Sequence, residues 1–271
     1  MAINYELFEA AGALQYLDLE TRTWTTEGFV NAVKALVAYG HPQAAAVYCN
    51  GQSGDQGTRA LVNNLFGGSF TSPDHDRYTV NSPENIRALE LLRDLEGIRF
   101  EPETTAAEEI ARFCQGELAM AFCWNVSLEI QQTLKNPHKN FDIFPMAFPS
   151  ETGEPRLEGG IWGFGVFDNG DEARVDAAKT FIRFMTDRDG KYRNAVLAST
   201  YWPVRDLDDL YANDAIMSEY SLFTEYMGDY IQITPGWVTA REAWWKMLQS
   251  IAAGTEVPAA AEAFSKAVDG A

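Results

Sequence analysis

Capped amphipathic helices alternate along this chain with apolar runs too short to be anything but strands, and this alternation limits the fold more than any other feature. Thr25 can cap a helix whose face carries Phe29, Val33, Leu36 and Val37, and Gly40 stops it. Ser82-Pro83-Glu84 places a cap, a first-turn proline and an acid in the order a helix start requires. Thr105-Ala106-Ala107-Glu108 spells a capping box ahead of Ile110 and Phe113. Val175, Ala178, Phe181, Ile182 and Met185 form a further stripe. Trp237, Ala240, Trp244, Leu248 and Ile251 form another, ended by Gly254, and Pro258 opens the last helix. Between the helices, Ala45–Cys49, Leu118–Phe122, Phe141–Phe144 and the Gly-rich run Gly159–Phe167 read as strands. The predicted class is α/β.

Charge and motif content exclude several functions. Lys plus Arg is 21 against 39 Asp plus Glu, a net charge of −18, so no basic face is available for nucleic acid or an anionic membrane. Cys49, Cys114 and Cys123 have no Cys-x-x-Cys spacing, and His41, His75 and His138 are scattered, so no metal site is expected. No P-loop, dinucleotide fingerprint or nucleophile elbow occurs, so the expectation is no cofactor and no catalytic residue. No apolar run approaches the ~20 residues of a membrane span. Met1–Glu6 has neither a basic start nor an apolar core, so it does not read as a signal peptide.

What remains is a set of aromatic and polar residues at loop positions. Asp55 and Gln56 follow a Gly-rich loop, Trp124 and Asn125 follow a predicted strand, Gly160 and Trp162 lie in the Gly-rich run, and Trp237 heads a helix that also carries Arg241. Indole faces stack on the C–H faces of sugar rings, and carboxylates and amides grip hydroxyls. The same residues have plainer readings. Any of the three indoles can be core packing, Asp55 a first-turn acid favoured by the helix dipole, and Arg241 a surface charge. Trp24 reads as a hydrophobic staple.

Several segments, in order, resemble family 1 of the extracellular solute-binding proteins, the maltose-binding-protein-like receptors of ABC importers. They are Asn4–Gly12, Thr23–Phe29, Leu65–Gly68 with Val80–Glu84, Phe113–Met120, Gly159–Gly163, Phe181–Thr186 and Pro203–Arg205. The resemblance implies a periplasmic-binding-protein type II-like fold of two hinged α/β lobes. The second lobe is nearly complete in residues 1–150 and 208–271, and the first is only partly present as a returning segment, 151–207. It implies a sugar or oligosaccharide ligand, no enzymatic turnover, ABC permease subunits as partners, and a periplasmic or extracellular location. A missing N-terminal segment or a second copy of the chain would be a further partner. By position, Asp55 and Gln56 match the polar cleft loop, Trp124 with Asn125 the stacking aromatic, Gly160 and Trp162 the recrossing loop, and Trp237 and Arg241 the helix facing the ligand. The rival readings are a carbohydrate-active enzyme, and a sensor or interaction module that kept the fold.

Overall fold

The computed structural model describes residues 1–135, 141–158, 160, 163–187, 191–205, 207 and 210–269. Helix starts follow the capping residues. The Thr25 hydroxyl accepts the Gly28 N–H at the head of α2 (Thr26–Tyr39). Ser82 caps α4 (Pro83–Asp94), and Thr105 and Glu108 form both halves of the capping box of α5 (Ala106–Cys114). Trp24 packs edge-on against Phe29, ring centroids 5.5 Å apart, which is the N′-to-N4 contact of a hydrophobic staple. The remaining helices are α1 (Tyr5–Ala10), α3 (Asp55–Leu65), α6 (Val126–Lys135), α7 (Glu172–Met185), α8 (Lys191–Ser199), α9 (Ala215–Ser221), α10 (Trp237–Ala252) and α11 (Val257–Val268).

The strands are β1 (Ala2–Asn4), β2 (Ala45–Asn50), β3 (Ile98–Thr105), β4 (Met120–Ala121) and β5 (Ile143–Pro145). They form two small sheets. β1 lies between β4 and β5, antiparallel to both, and β2 pairs in parallel with β3. β4 is shorter than the Leu118–Phe122 run, and β5 sits two residues beyond the start of Phe141–Phe144. The Gly-rich run differs from its expected strand. Residues 163–167 belong to no strand, because no described segment supplies the partner backbone that a ladder needs.

The chain forms two compact units, residues 1–159 with 225–271, and residues 160–224. The sequence reading divides it instead after 150 and after 207. The larger unit has a continuous apolar core from Ile3, Phe8 and Phe29 through Leu61, Leu89 and Met120 to Trp244 and Phe264. Trp244 is fully buried, and its indole N–H donates to the Thr58 hydroxyl at 2.9 Å. The smaller unit carries α7, α8 and α9, and buries Tyr192, Val196, Tyr211, Met217, Tyr220 and Phe223. α7 buries none of its residues, and Phe164, Phe167, Phe181 and Phe184 are more than half exposed.

Candidate functional site

The best-built polar constellation lies in the larger unit, where α3 starts beside β4 and the head of α10. Gly54 precedes α3 with φ +73°, and a side chain there would overlap the Cys123 sulfur. A Cβ on Gly57 would stand 2.5 Å from the Phe122 carbonyl oxygen and 2.6 Å from the Tyr48 hydroxyl. Tyr48 donates that hydroxyl to the Gly54 carbonyl. Glycine at 54 and 57 therefore lets the first turn of α3 rest directly on the chain leaving β4, and this fixes where Asp55 and Arg59 point.

Asp55 is buried and fully engaged. Its Oδ2 meets Arg59 Nη1 at 2.6 Å and accepts from Arg241 Nε at 2.8 Å, and its Oδ1 accepts from Arg241 Nη2 at 3.0 Å. Arg241 also donates to the Gln52 carbonyl. Arg59 is 1% exposed, and its Nε and Nη2 donate to the two oxygens of Glu158 at 2.9 and 2.8 Å. Burial pushes the Glu158 carboxyl upward, and the Arg59 charge opposes it. A carboxylate accepting two guanidinium N–H bonds side by side has the geometry of an ionised pair. Burial acts to lower the Arg59 pKa, but Glu158 and Asp55 together outweigh it and raise it.

The Arg59 guanidinium carbon lies 5.0 Å from the Trp237 ring centroid and 5.2 Å from that of Phe70. Phe70 meets Trp237 edge-on at 5.9 Å. Trp237 is half-buried, so its indole rests on a rigid charged support while part of the ring stays accessible. Arg241 lies four residues later on α10, which puts it on the same face as Trp237, with its side chain 28% exposed.

The structure thus joins Asp55, Arg241 and, through Arg59, Trp237. The other candidates sit differently. Gln56 is exposed on the first turn of α3. Trp124 is 7% exposed, packed edge-on against Phe113 at 5.2 Å, and its buried indole N–H meets no acceptor among the described residues. Asn125 is exposed at the start of α6, where its Oδ1 accepts the Leu128 N–H at 3.1 Å. Gly160 is exposed in the smaller unit, and Trp162 lies outside the described residues.

Two members of the network, Arg59 and Glu158, were not among the sequence candidates. The Asp55–Arg59 spacing of four on a helix is a readable ion-pair signal. Nothing local marks Glu158, which reaches Arg59 from 99 residues away.

The profile of the bacterial extracellular solute-binding proteins matches residues 1–219, and the chain belongs to that family. Among curated protein sequences, none matches it. Solved structures share its fold. The GacH receptor of Streptomyces glaucescens, determined unliganded and with acarbose, superposes with a TM-score of 0.70 at 14% identity, covering 99% of this chain and 68% of that one. An ABC transporter solute-binding protein of Agrobacterium radiobacter K84 in complex with ribitol gives 0.67 at 22% identity, covering 99% and 68%. UgpB of Mycobacterium tuberculosis in complex with glycerophosphocholine gives 0.66 at 17% identity, covering 99% and 66%. The chain therefore spans about two thirds of the length of these neighbours. No helix among the described residues is long and apolar enough to cross a membrane.

Proposed function

We propose that this chain is the larger part of a sugar- or oligosaccharide-binding receptor of an ABC importer, working outside the cytoplasm with permease subunits as partners and without turning its ligand over. One observation carries the reading: Trp237 and Arg241 share a face of α10, one offering an aromatic platform and the other hydrogen-bond donors, both held by a buried ion network. Gln56 and Asn125 are exposed polar groups suited to hydroxyls, and Trp124, Gly160 and Trp162 complete the assignment by family position. The neighbours solved with acarbose and ribitol support a polyhydroxylated ligand. Glycosidase chemistry needs two carboxyl groups free to act on the sugar, and Asp55 and Glu158 are both committed to arginines.

We further propose that residues 1–150 and 208–271 form one lobe and 151–207 part of the other, and that the receptor is completed by further polypeptide. The bare α7 face supports the completion by further polypeptide, while the compact units divide at 159 and 224. Calorimetry with oligosaccharides on the chain alone tests the reading. Binding at about millimolar, lost in Trp237→Ala, is expected. Steady release of reducing sugar, or sugar binding indifferent to Trp237→Ala, would contradict it.

A further inference from the structure

Solute-binding proteins of this fold take ligands that carry charged groups and ligands that carry none, as zwitterionic glycerophosphocholine and uncharged ribitol in the neighbours illustrate. Fold alone therefore leaves open which charge this chain accepts. An arginine fork on a binding face is ordinarily an anion site, since guanidinium matches carboxylate and phosphate geometry. Here the forks are filled from within. Asp55 takes Nε and Nη2 of Arg241, and Arg59 is held between Asp55 and Glu158. Two guanidinium charges meet two carboxylate charges, so +2 − 2 leaves zero. The whole chain, at −18, adds a field that repels anions.

Resting on the sugar-receptor reading, we propose that the Trp237–Arg241 face selects uncharged polyols and rejects acidic or phosphorylated ones, and that Asp55 is the residue that sets this preference. A hydroxyl can still accept from an arginine already paired to a carboxylate, because the guanidinium has five donors and Asp55 engages only some of them. A ligand carboxylate or phosphate would have to be desolvated against two guanidiniums that are both already paired. Asp55 thus acts by cancelling charge and needs no contact with the ligand.

The experiment has two arms. An array of neutral glycans and their uronate or sulfated counterparts is probed with the full chain. Acidic counterparts should bind at least about tenfold more weakly than the neutral ones. In the second arm, thermal unfolding is followed with millimolar inorganic phosphate at constant ionic strength. The wild type should show no saturable shift. Asp55→Asn, which uncovers Arg241, should gain one of about 3 °C at ten times Kd. Glu158→Gln, which leaves one carboxylate for two guanidiniums, should gain a smaller one and serves if Asp55→Asn does not fold. Preference for acidic glycans, saturable phosphate binding by the wild type, or no gain in either variant overturns the proposal. If no glycan binds at all, the receptor reading fails while the phosphate arm still decides the charge question, and wild-type indifference decides it should neither variant fold.

Discussion

The fully buried carboxylate of Glu109, on α5, accepts the backbone N–H of Phe122 at 2.6 Å and so ties that helix to the end of β4. The Cys123 N–H donates to its other oxygen at 2.9 Å. Burial pushes the Glu109 carboxyl from 4.5 up to about 8, against the pull of both N–H groups. Between those values the folded protein holds a proton that the unfolded chain has released, so the Glu109 contribution to stability falls as pH rises through this window. Glu109→Gln removes that slope and leaves one N–H facing an amide NH₂, at a cost of about 1–3 kcal/mol. Urea unfolding across the window should show the wild-type advantage shrinking with rising pH. An advantage that grows would contradict the raised pKa.

Gly57→Ala should destabilise the protein. A helical glycine-to-alanine change ordinarily gains up to about 1 kcal/mol from propensity. Here the new methyl meets a backbone carbonyl at 2.5 Å, which cannot swing aside, and overpacking of this kind costs about 1–3 kcal/mol. Gly163→Ala, outside any helix and with nothing among the described residues within 4 Å, is an unhindered comparison and should be close to neutral by denaturant melt.

Arg59→Met should be among the most damaging single changes in the larger unit. It leaves Glu158 buried without its partner, a loss of about 3–5 kcal/mol. Adding Glu158→Gln should recover part of it. A double variant no better than the single would mean that the pair is not coupled.

Trp124→Ala separates packing from ligand contact. A loop position suggests from sequence that binding would suffer more than folding, but burial against Phe113 reverses the order. Loss of about 3–5 kcal/mol of stability is expected. Trp124→Phe keeps the packing, so a fall in sugar affinity in that variant alone would report stacking by the indole.

Phe181→Ser and Phe184→Ser should lower the binding of a hydrophobic dye and change stability by no more than about 0.5 kcal/mol, because neither ring is buried. A large loss of stability would show that the α7 face is already covered in solution.

Legibility from sequence follows how local each cause is. Thr25, Ser82 and Thr105 announced their helices because a cap acts within three residues. β1 did not announce itself, since a segment of three residues exists only through the pairing of Ile3 with Met120 and Phe144. β3 contains Pro102 and is mostly exposed or half-buried, so it carries no alternation, and its parallel pairing with β2 defines it. At the candidate site, chemistry and family position together picked out Asp55, Trp237 and Arg241. The residue that links them, Arg59, reads as an ordinary helix charge until the fold brings Glu158 and Phe70 around it.

Where the chain leaves the larger unit and where it comes back are neighbours. The Leu157 N–H donates to the Tyr226 carbonyl at 2.8 Å, and the Gly228 N–H donates to the Leu157 carbonyl at 2.7 Å. Residues 160–224 are thus spliced into a host whose own two ends at that point already touch, side by side and running parallel, as the two strands of a crossover do. Because the two ends run parallel, no tight turn could join them, and whatever links them has to travel back along the bridge before the chain re-enters. The junction is thus closed by the larger unit's own backbone, so the span of 160–224 can vary in length without disturbing the frame that holds Trp237, Arg241 and the ions beneath them.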